Sequence, residues 1–374
     1  MTRIFIDSRN AEVEYDSLLP SARIAPALLV STSRADWNMI DPVRASYIDD
    51  AHSVVIPAFT EPSFTEVFER ITAEIAARRP CVALLPGDRY EMVAAAMACS
   101  LAGVPVVHLA AGDRTEGAKD DRYRMAITAL SDRLLTTNNA ATERLFAMRY
   151  TNVRQTGSPA IDAILGARVL DRKQWAQELG GLIYGVYADD PRHRLPIVLA
   201  CCHPETAADD PLAACRAMID ALSDMDVIVV ATASNTDPGG AECTEMMRAA
   251  TRRRKHWFFY ENMGLDLYAN AMRHAAVMVG NSSSGYYEAP VFGLPVVDIG
   301  GRQRGRTAAV CVMGGVEPDA AHVRNALEQG LGFARNHGRH DPEFPYGDGS
   351  AAPRVAAILR EYADRSRQDG RAKG

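Results

Sequence analysis

The residues whose types and spacing could do chemistry sit in short polar stretches that follow apolar runs. The richest is GNSSSGYYEAP, residues 280–290, with GLPVVDIGGRQRGR close behind it. Ser282, Ser283 and Ser284 place three hydroxyls in a turn before a helix-length segment, Tyr286–Phe292, which Gly293 stops. Arg302, Arg304 and Arg306 arrive from the next loop. Backbone N–H groups at a helix start, together with hydroxyls and guanidinium groups, make a receptor for a diphosphate. Glu288, about two turns on, carries a carboxylate that can accept hydrogen bonds from ribose hydroxyls. Taken alone, the same stretch also reads as a serine-rich N-cap and a solvated basic loop.

Four further stretches carry acids, bases or amides. PGDRYE holds Asp88 and Arg89 at a strand end before a helix. AAGDRTEGAKDDRYRMAI crowds Asp113, Glu116, Asp120 and Asp121 into one loop with Arg114, Arg122 and Arg124. CCHPET offers His203, and TASNTDPGG carries Asn235 and Asp237. Singly, a strand-end carboxylate is as readily an N-cap, and a lone His after a strand is more often structural. Converging with an anion site across one cleft, the set suits general acid–base work on a sugar nucleotide.

That convergence needs a scaffold, and the apolar pattern supplies one. Apolar runs alternate with helix-length amphipathic segments, the signal of a parallel α/β sheet. The first half gives candidate strands Arg3–Asp7, Ala27–Ser31, Ser53–Ile56, Cys81–Leu85, Val104–Leu109 and Arg133–Thr136, with helices Ser63–Ala77, Glu91–Ala102 and Ala140–Met148. The pattern changes between Gly157 and Gly181 and leads into YADDPRHRLP, rich in charge and proline. It then restarts with strands Pro196–Ala200, Val227–Ala231, His256–Phe259, Val277–Val279, Pro295–Ile299 and Ala309–Met313. Two successive doubly wound units place a ligand in the cleft between them, at the carboxyl ends of their strands.

Composition narrows the partners. The chain has 374 residues, 47% hydrophobic and 24% charged, enough for two domains with separate cores. A net charge of −6 leaves no broad footprint for nucleic acid or an anionic membrane. No stretch approaches a membrane span, and the charged, strand-like start MTRIFIDSRN is unlike a signal peptide. Cysteines 81, 99, 201, 202, 215, 243 and 311 never fall as CxxC, which favours reduced, buried thiols in a cytoplasm over disulfides or zinc. No metal is therefore expected to serve the reaction.

In order along the chain, GDRYE, HLAAGDRTEGAKDDRYRMAITALS, GSPAID, HPET, NTDPGG and GNSSSGYYEAP with GLPVVDIGGRQRGR resemble the UDP-N-acetylglucosamine 2-epimerase family, particularly its hydrolysing branch. The resemblance runs from about Ile4 to Val312. It implies α/β architecture of the glycosyltransferase-B type, with two Rossmann-like domains facing a cleft. Residues 1–170 would form the sugar side and 171–350 the UDP side, while 351–374, with a helix near Ala351–Asp364, would pack back on the first domain. It further implies a UDP-sugar substrate, UDP-GlcNAc or a modified UDP-HexNAc. UDP leaves as the proton on sugar carbon 2 is removed, and water adds to the glycal-like intermediate, giving a free sugar of the ManNAc type. No cofactor is implied. A cytoplasmic homodimer serving polysaccharide or antibiotic biosynthesis is.

By the same resemblance Asp88, Asp113, Asp121 and His203 are catalytic. Arg124, Asn235, Ser282, Ser283, Ser284, Glu288, Arg302 and Arg306 meet the substrate or nucleotide. A phosphate-side arginine is placed at Arg9, in IDSRNAEVEY, with Arg34 of STSRADW as the alternative. Three positions depart from the family: Ala110 stands where an acid is usual, Met125 where the His of DDxxRH falls, and Ala129 where the Lys of ITKL falls. The nucleotide half is better preserved than the chemical half, which leaves open a divergent sugar-nucleotide hydrolase or glycosyltransferase-like enzyme that keeps the UDP site, or a catalytically silent paralogue.

Overall fold

The computed structural model describes residues 27–31, 34–47, 51–55, 63–114, 121–180, 195–235 and 237–372. Within them the chain builds two six-stranded sheets. The first contains β1 (Ala27–Ser31), β2 (Ala51–Val55), β3 (Val82–Pro86), β4 (Val106–Leu109), β5 (Arg133–Thr136) and β6 (Val153–Gln155), in the order β2-β1-β3-β4-β5-β6. The second contains β7 (Ile197–Cys201), β8 (Ile228–Thr232), β9 (Trp257–Tyr260), β10 (Val277–Gly280), β11 (Val296–Ile299) and β12 (Val312–Val316), in the order β12-β11-β10-β7-β8-β9. Their pairings are parallel.

The sequences of the central strands explain this arrangement. ALLVS, VALLP and IVLAC are apolar apart from the closing Ser31, and buried along their whole length. A parallel strand covered on both faces by helices has no wet side to be polar on. Alternate side chains therefore enter different cores. Leu28 and Val30 pack with Val67, Ile71 and Met92, whereas Ala27 and Leu29 pack with Ile40, Val43 and Leu359. In the second sheet Val198 and Ala200 join Met218 and Leu222, while Ile197 and Leu199 join Trp175 and Met272.

Each sheet reverses its winding once, between β1 and β3 and between β7 and β10. The loops at the carboxyl ends of those four strands must splay apart, which opens a crevice for a ligand. STSRAD follows β1, GDRYE follows β3, HPET follows β7 and GNSSS follows β10. The motifs singled out above thus sit at the two places where the topology makes room.

The observed strands fall within a few residues of the expected ones, except β6, Val153–Gln155, a short edge strand that the apolar pattern does not mark. Arg3–Asp7 and Arg9 lie outside the described residues, as do Glu116 and Asp120. One expectation is corrected. Tyr286–Phe292 is not a single helix but one α-turn, Ser284–Tyr287, followed by a 3₁₀ segment, Ala289–Phe292. Pro290 is the reason, because it cannot donate a backbone hydrogen bond and its ring crowds the carbonyl four residues back. So short a turn has little macrodipole, and an anion there must be met by hydroxyls, local N–H groups and arginine.

The last helix, Ala351–Ala372, is longer than expected and crosses to the first sheet. The Asp162 carboxylate accepts hydrogen bonds from the N–H groups of Ala351 (3.1 Å) and Ala352 (2.7 Å), satisfying donors that open the helix. Arg360 donates to the Ser46 carbonyl at 2.5 Å. Among the described residues no helix is long and apolar enough to cross a membrane.

Leu359 is fully buried against β1 and β3. Leu359→Ala is expected to destabilise the chain by about 2–5 kcal/mol through lost burial and the residual cavity. Thermal melting checks it; an unchanged Tm would mean that the helix does not help hold the first sheet.

Candidate active site

The second sheet's contribution begins at Gly280, the last residue of β10. Its φ is +136°, and a Cβ there would lie 1.9 Å from the Cys201 carbonyl oxygen. Only glycine allows the two strand ends to approach so closely. Asn281 then locks them together. Its Oδ1 accepts from the His203 N–H at 2.7 Å, and its Nδ2 donates to the His203 carbonyl at 2.9 Å. The Gln303 amide donates to the Asn281 carbonyl at 2.7 Å, drawing in the loop that carries the arginines.

The serine turn sits on this clamp. Ser282 and Ser284 hydroxyls are 3.1 Å apart, and Tyr268 holds Ser284 at 2.7 Å. His203 stands beside them with a defined tautomer. The Asn235 backbone N–H donates to its Nδ1 at 3.1 Å, so the ring proton is on Nε2. Burial, reinforced by the charge of Arg302, pushes the imidazole down to about 3, which leaves it neutral. Asn235 thus contributes its backbone to His203, while its side chain donates to Asp237 at 2.5 Å. Arg302 reaches both Asp237 and the Asn281 carbonyl at 3.4 Å, tying the two loops.

Glu288 follows the serine turn with Oε2 buried and without a hydrogen-bond partner. A buried, unsatisfied carboxylate oxygen is unfavourable unless a ligand supplies donors. Burial pushes this carboxyl up to about 7, and the charge of Arg306 only partly opposes the shift. The Arg306 guanidinium lies over the Tyr287 ring, 5.1 Å from its centre. Tyr287 stacks on Tyr346 with ring centres 3.9 Å apart.

The first sheet's contribution is built around Arg124. Its side chain is only 4% exposed. One nitrogen donates to the Asp88 carboxylate, and the other to the Asp113 carbonyl (2.6 Å) and Asp121 (2.9 Å). Asp88 and Asp121 keep 24% and 32% of their side-chain surface open. Asp113 is different. Its carboxylate accepts from Thr137 (2.9 Å), Asn138 (3.2 Å) and, across the cleft, the Tyr287 hydroxyl (2.5 Å). It is buried and fully engaged, whereas Asp88 and Asp121 each pair with Arg124 and stay partly exposed.

Several of these contacts are not visible in the sequence. Tyr287 is one, since its partner is 174 positions away. His108 is another. Its Nε2 lies 2.8 Å from the Gly87 carbonyl, which can only accept, so Nδ1 accepts from Thr128 at 3.2 Å. Burial pushes this ring down to about 4, so it fixes the turn before Asp88 as a neutral donor. Of the phosphate-side candidates, Arg34 opens the helix after β1, in the turn beside Gly87; a Cβ on Gly87 would lie 3.6 Å from Asp36. Between the halves a crevice is lined by Asp113, Arg114, Asn138, Arg144, Arg306 and Tyr346.

The departures also find their places. Ala110 adopts φ +63°, a left-handed conformation uncommon for a residue with a Cβ. Met125 is half-buried next to Arg124, and Ala129 is exposed at the end of its helix.

Comparison with known proteins gives the family and the fold. Residues 60–360 match the family model described as UDP-N-acetylglucosamine 2-epimerase. A UDP-N,N'-diacetylbacillosamine 2-epimerase (hydrolyzing) from Legionella pneumophila is 31% identical over 305 residues, 79% of this chain and 73% of that protein. A GDP/UDP-N,N'-diacetylbacillosamine 2-epimerase (hydrolyzing) from Campylobacter jejuni is 28% identical over 251 residues, 65% of this chain and 60% of that protein. The crystal structure of UDP-GlcNAc 2-epimerase from Neisseria meningitidis bound to UDP-GlcNAc superposes with a TM-score of 0.72 at 16% identity, covering 90% of this chain and all of that one. The architecture is therefore of the glycosyltransferase-B type, and the chain belongs to the UDP-N-acetylglucosamine 2-epimerase family.

Proposed function

We propose that the chain is a hydrolysing 2-epimerase of a UDP-linked 2-acetamido sugar, releasing UDP and the free 2-epimeric sugar. The observation that carries this reading is the pairing of two partly exposed carboxylates, Asp88 and Asp121, on one buried arginine, with Asp88 also in the field of Arg306. The nucleotide would lie against the turn after β10, its diphosphate on Ser282–Ser284, Arg302 and Arg306, with the ribose hydroxyls donating to Glu288. Neutral His203, with its Nε2–H, is a hydrogen-bond donor for the departing phosphate. Relatives that act on diacetylbacillosamine favour a sugar bearing a second acetamido group.

In the first step Asp88 takes the proton from sugar carbon 2 as the bond from carbon 1 to the diphosphate oxygen breaks, and the electron pair closes a carbon 1–carbon 2 double bond. In the second, water adds to carbon 1 and a proton returns to carbon 2 on the opposite face, for which Asp121 is the candidate. Arg124 holds both carboxylates in place, as a base needs fixed geometry. Asp113 is a positioning residue here, since three donors already hold its oxygens. Division into domains at residue 170, a cytoplasmic setting and a homodimeric assembly belong to the same proposal; seven free thiols suit a reducing compartment.

The absence of an acid at residue 110 and of an imidazole at 125 favours one second reading, hydrolysis without epimerisation. Incubation with UDP-HexNAc substrates in deuterated water separates the two. Deuterium at carbon 2 of the released sugar is the expected result, and unlabelled, unepimerised sugar would point to plain hydrolysis. Asp88→Asn is expected to abolish exchange while UDP affinity stays within a few-fold. Near-native exchange in that variant would remove Asp88 from the base role.

Arg306→Ala removes a charge-assisted contact to the diphosphate, an effect on the order of 2 kcal/mol or more, so UDP should bind tens-fold more weakly. Calorimetry measures this directly, and unchanged affinity would move the diphosphate elsewhere.

Glu288 gives a pH signature. Its folded pKa of about 7 lies above the ordinary 4.5, so its contribution to folding is fully present below 4.5 and is lost as pH rises through 7. Ribose donors reverse that preference by favouring the carboxylate. UDP should therefore raise Tm more at pH 8 than at pH 6, and Glu288→Gln should flatten the difference. An identical pH dependence in both proteins would take Glu288 off the ribose.

A further inference from the structure

Outside the cleft, one cluster of ligating side chains stands apart. Cys202 follows β7, Cys215 is the third residue of the helix Ala213–Ser223, and Cys243 is the fourth of the helix Gly240–Arg252. All three are buried, and their sulfurs lie within 4.8 Å of one another. Their hydrogen bonds are long: Cys243 to the Cys202 carbonyl at 3.4 Å, Cys215 to the Cys243 carbonyl at 3.8 Å, and Cys202 to the His203 carbonyl at 3.9 Å.

A buried thiol alone is ordinarily a small hydrophobe. Here three thiols from three elements meet, and two of them occupy the opening turns of long helices. The partial positive charge at those turns stabilises thiolates and so lowers the penalty for ionising sulfur in an apolar core. An ion with three metal–sulfur bonds of about 2.3 Å sets its sulfurs about 4 Å apart, a contraction of less than about 1 Å from the present spacing. Among the described residues the cluster has three such ligands, whereas structural zinc takes four. Met218 and Met247 share the same core, three and four residues beyond Cys215 and Cys243 and therefore on the same helix faces. Thiolate and thioether surroundings select copper(I).

We propose that Cys202, Cys215 and Cys243 form a three-coordinate site for a soft monovalent cation, copper(I). Each sulfur that binds as thiolate releases its proton to solvent, and no atom changes oxidation state. The site lies in the core of the second sheet, adjoins the cleft through Cys202, which precedes His203, and is inferred without reference to the reaction proposed above.

The test is anaerobic titration of the full chain with copper(I) against a competing chromophoric chelator, with thermal melting in parallel. One equivalent should be retained, with an ultraviolet thiolate-to-copper band and a raised Tm, since an ion that binds only the folded state stabilises it. Cys215→Ser and Cys243→Ala should each lower retention at least ten-fold while melting cooperatively without copper, and Cys99→Ala should change nothing. No retention by the wild type, or retention indifferent to both variants, overturns the site. Zinc bound as tightly through the same residues overturns the three-coordinate assignment.

Discussion

A guanidinium ion enclosed as fully as Arg124 must be matched by counter-charges, and the chemical half of the cleft is what that requirement produces. Breaking such a buried pair by removing one partner typically costs about 3–5 kcal/mol, because the other charge is left uncompensated. Arg124 draws Asp88 from the turn after β3, Asp121 from its own helix and the Asp113 carbonyl from the loop after β4. Two loops and the start of a helix are fixed by one cation. The neutral His108 completes the mould from below, holding the Gly87 carbonyl while carrying no charge that would compete with Arg124.

The carboxylates around this cation are chemically alike but differ in freedom. Asp113 accepts from Thr137 and Asn138 on its own half and from Tyr287 on the other, so its lone pairs are occupied before any substrate arrives. It works as a tie between the halves. Burial, and then the charge of Asp113, raises the Tyr287 phenol well above its ordinary range, so it remains a proton donor throughout the neutral region. Because Tyr287 ends the α-turn that opens at Ser284 and lies under Arg306, the serine turn and the Asp113 carboxylate are mechanically one unit.

How much of this was legible in the sequence depended on the range of the interaction. Strands such as Ala27–Ser31 and Arg133–Thr136 stand where the apolar runs place them, because burial on both faces of a parallel sheet writes itself into consecutive residues. The motifs at strand ends were legible for the same local reason. Contacts between distant side chains were not. Nothing near Tyr287 marks it as the partner of Asp113, and no spacing marks Cys202, Cys215 and Cys243 as neighbours, since each comes from a different element. The broken helix after Ser284 is a different case: its signal, Pro290, is local and lies inside the helix-length segment that Gly293 ends. The placement of the GNSSS turn is unaffected because it depends on the clamp of Asn281 on His203 rather than on a helix.

The three departures from the family pattern weigh differently once placed. Ala129 sits exposed at a helix end, so a lysine missing there is missing from the surface. Met125 neighbours Arg124 on the helix but leaves its ion pairs intact. Ala110 matters most, because a residue with a Cβ held at φ +63° stores strain that the loop tolerates only if its surroundings fix it. They do: Gly112 beyond it approaches the Ala141 carbonyl so closely that a Cβ would lie 2.7 Å away, and Arg144 donates to the Gly112 carbonyl. The loop keeps a tightly specified backbone although the side chain at its tip has been cut back to a methyl group. What differs from the family pattern is the side chain, and what is fixed is the path of the chain.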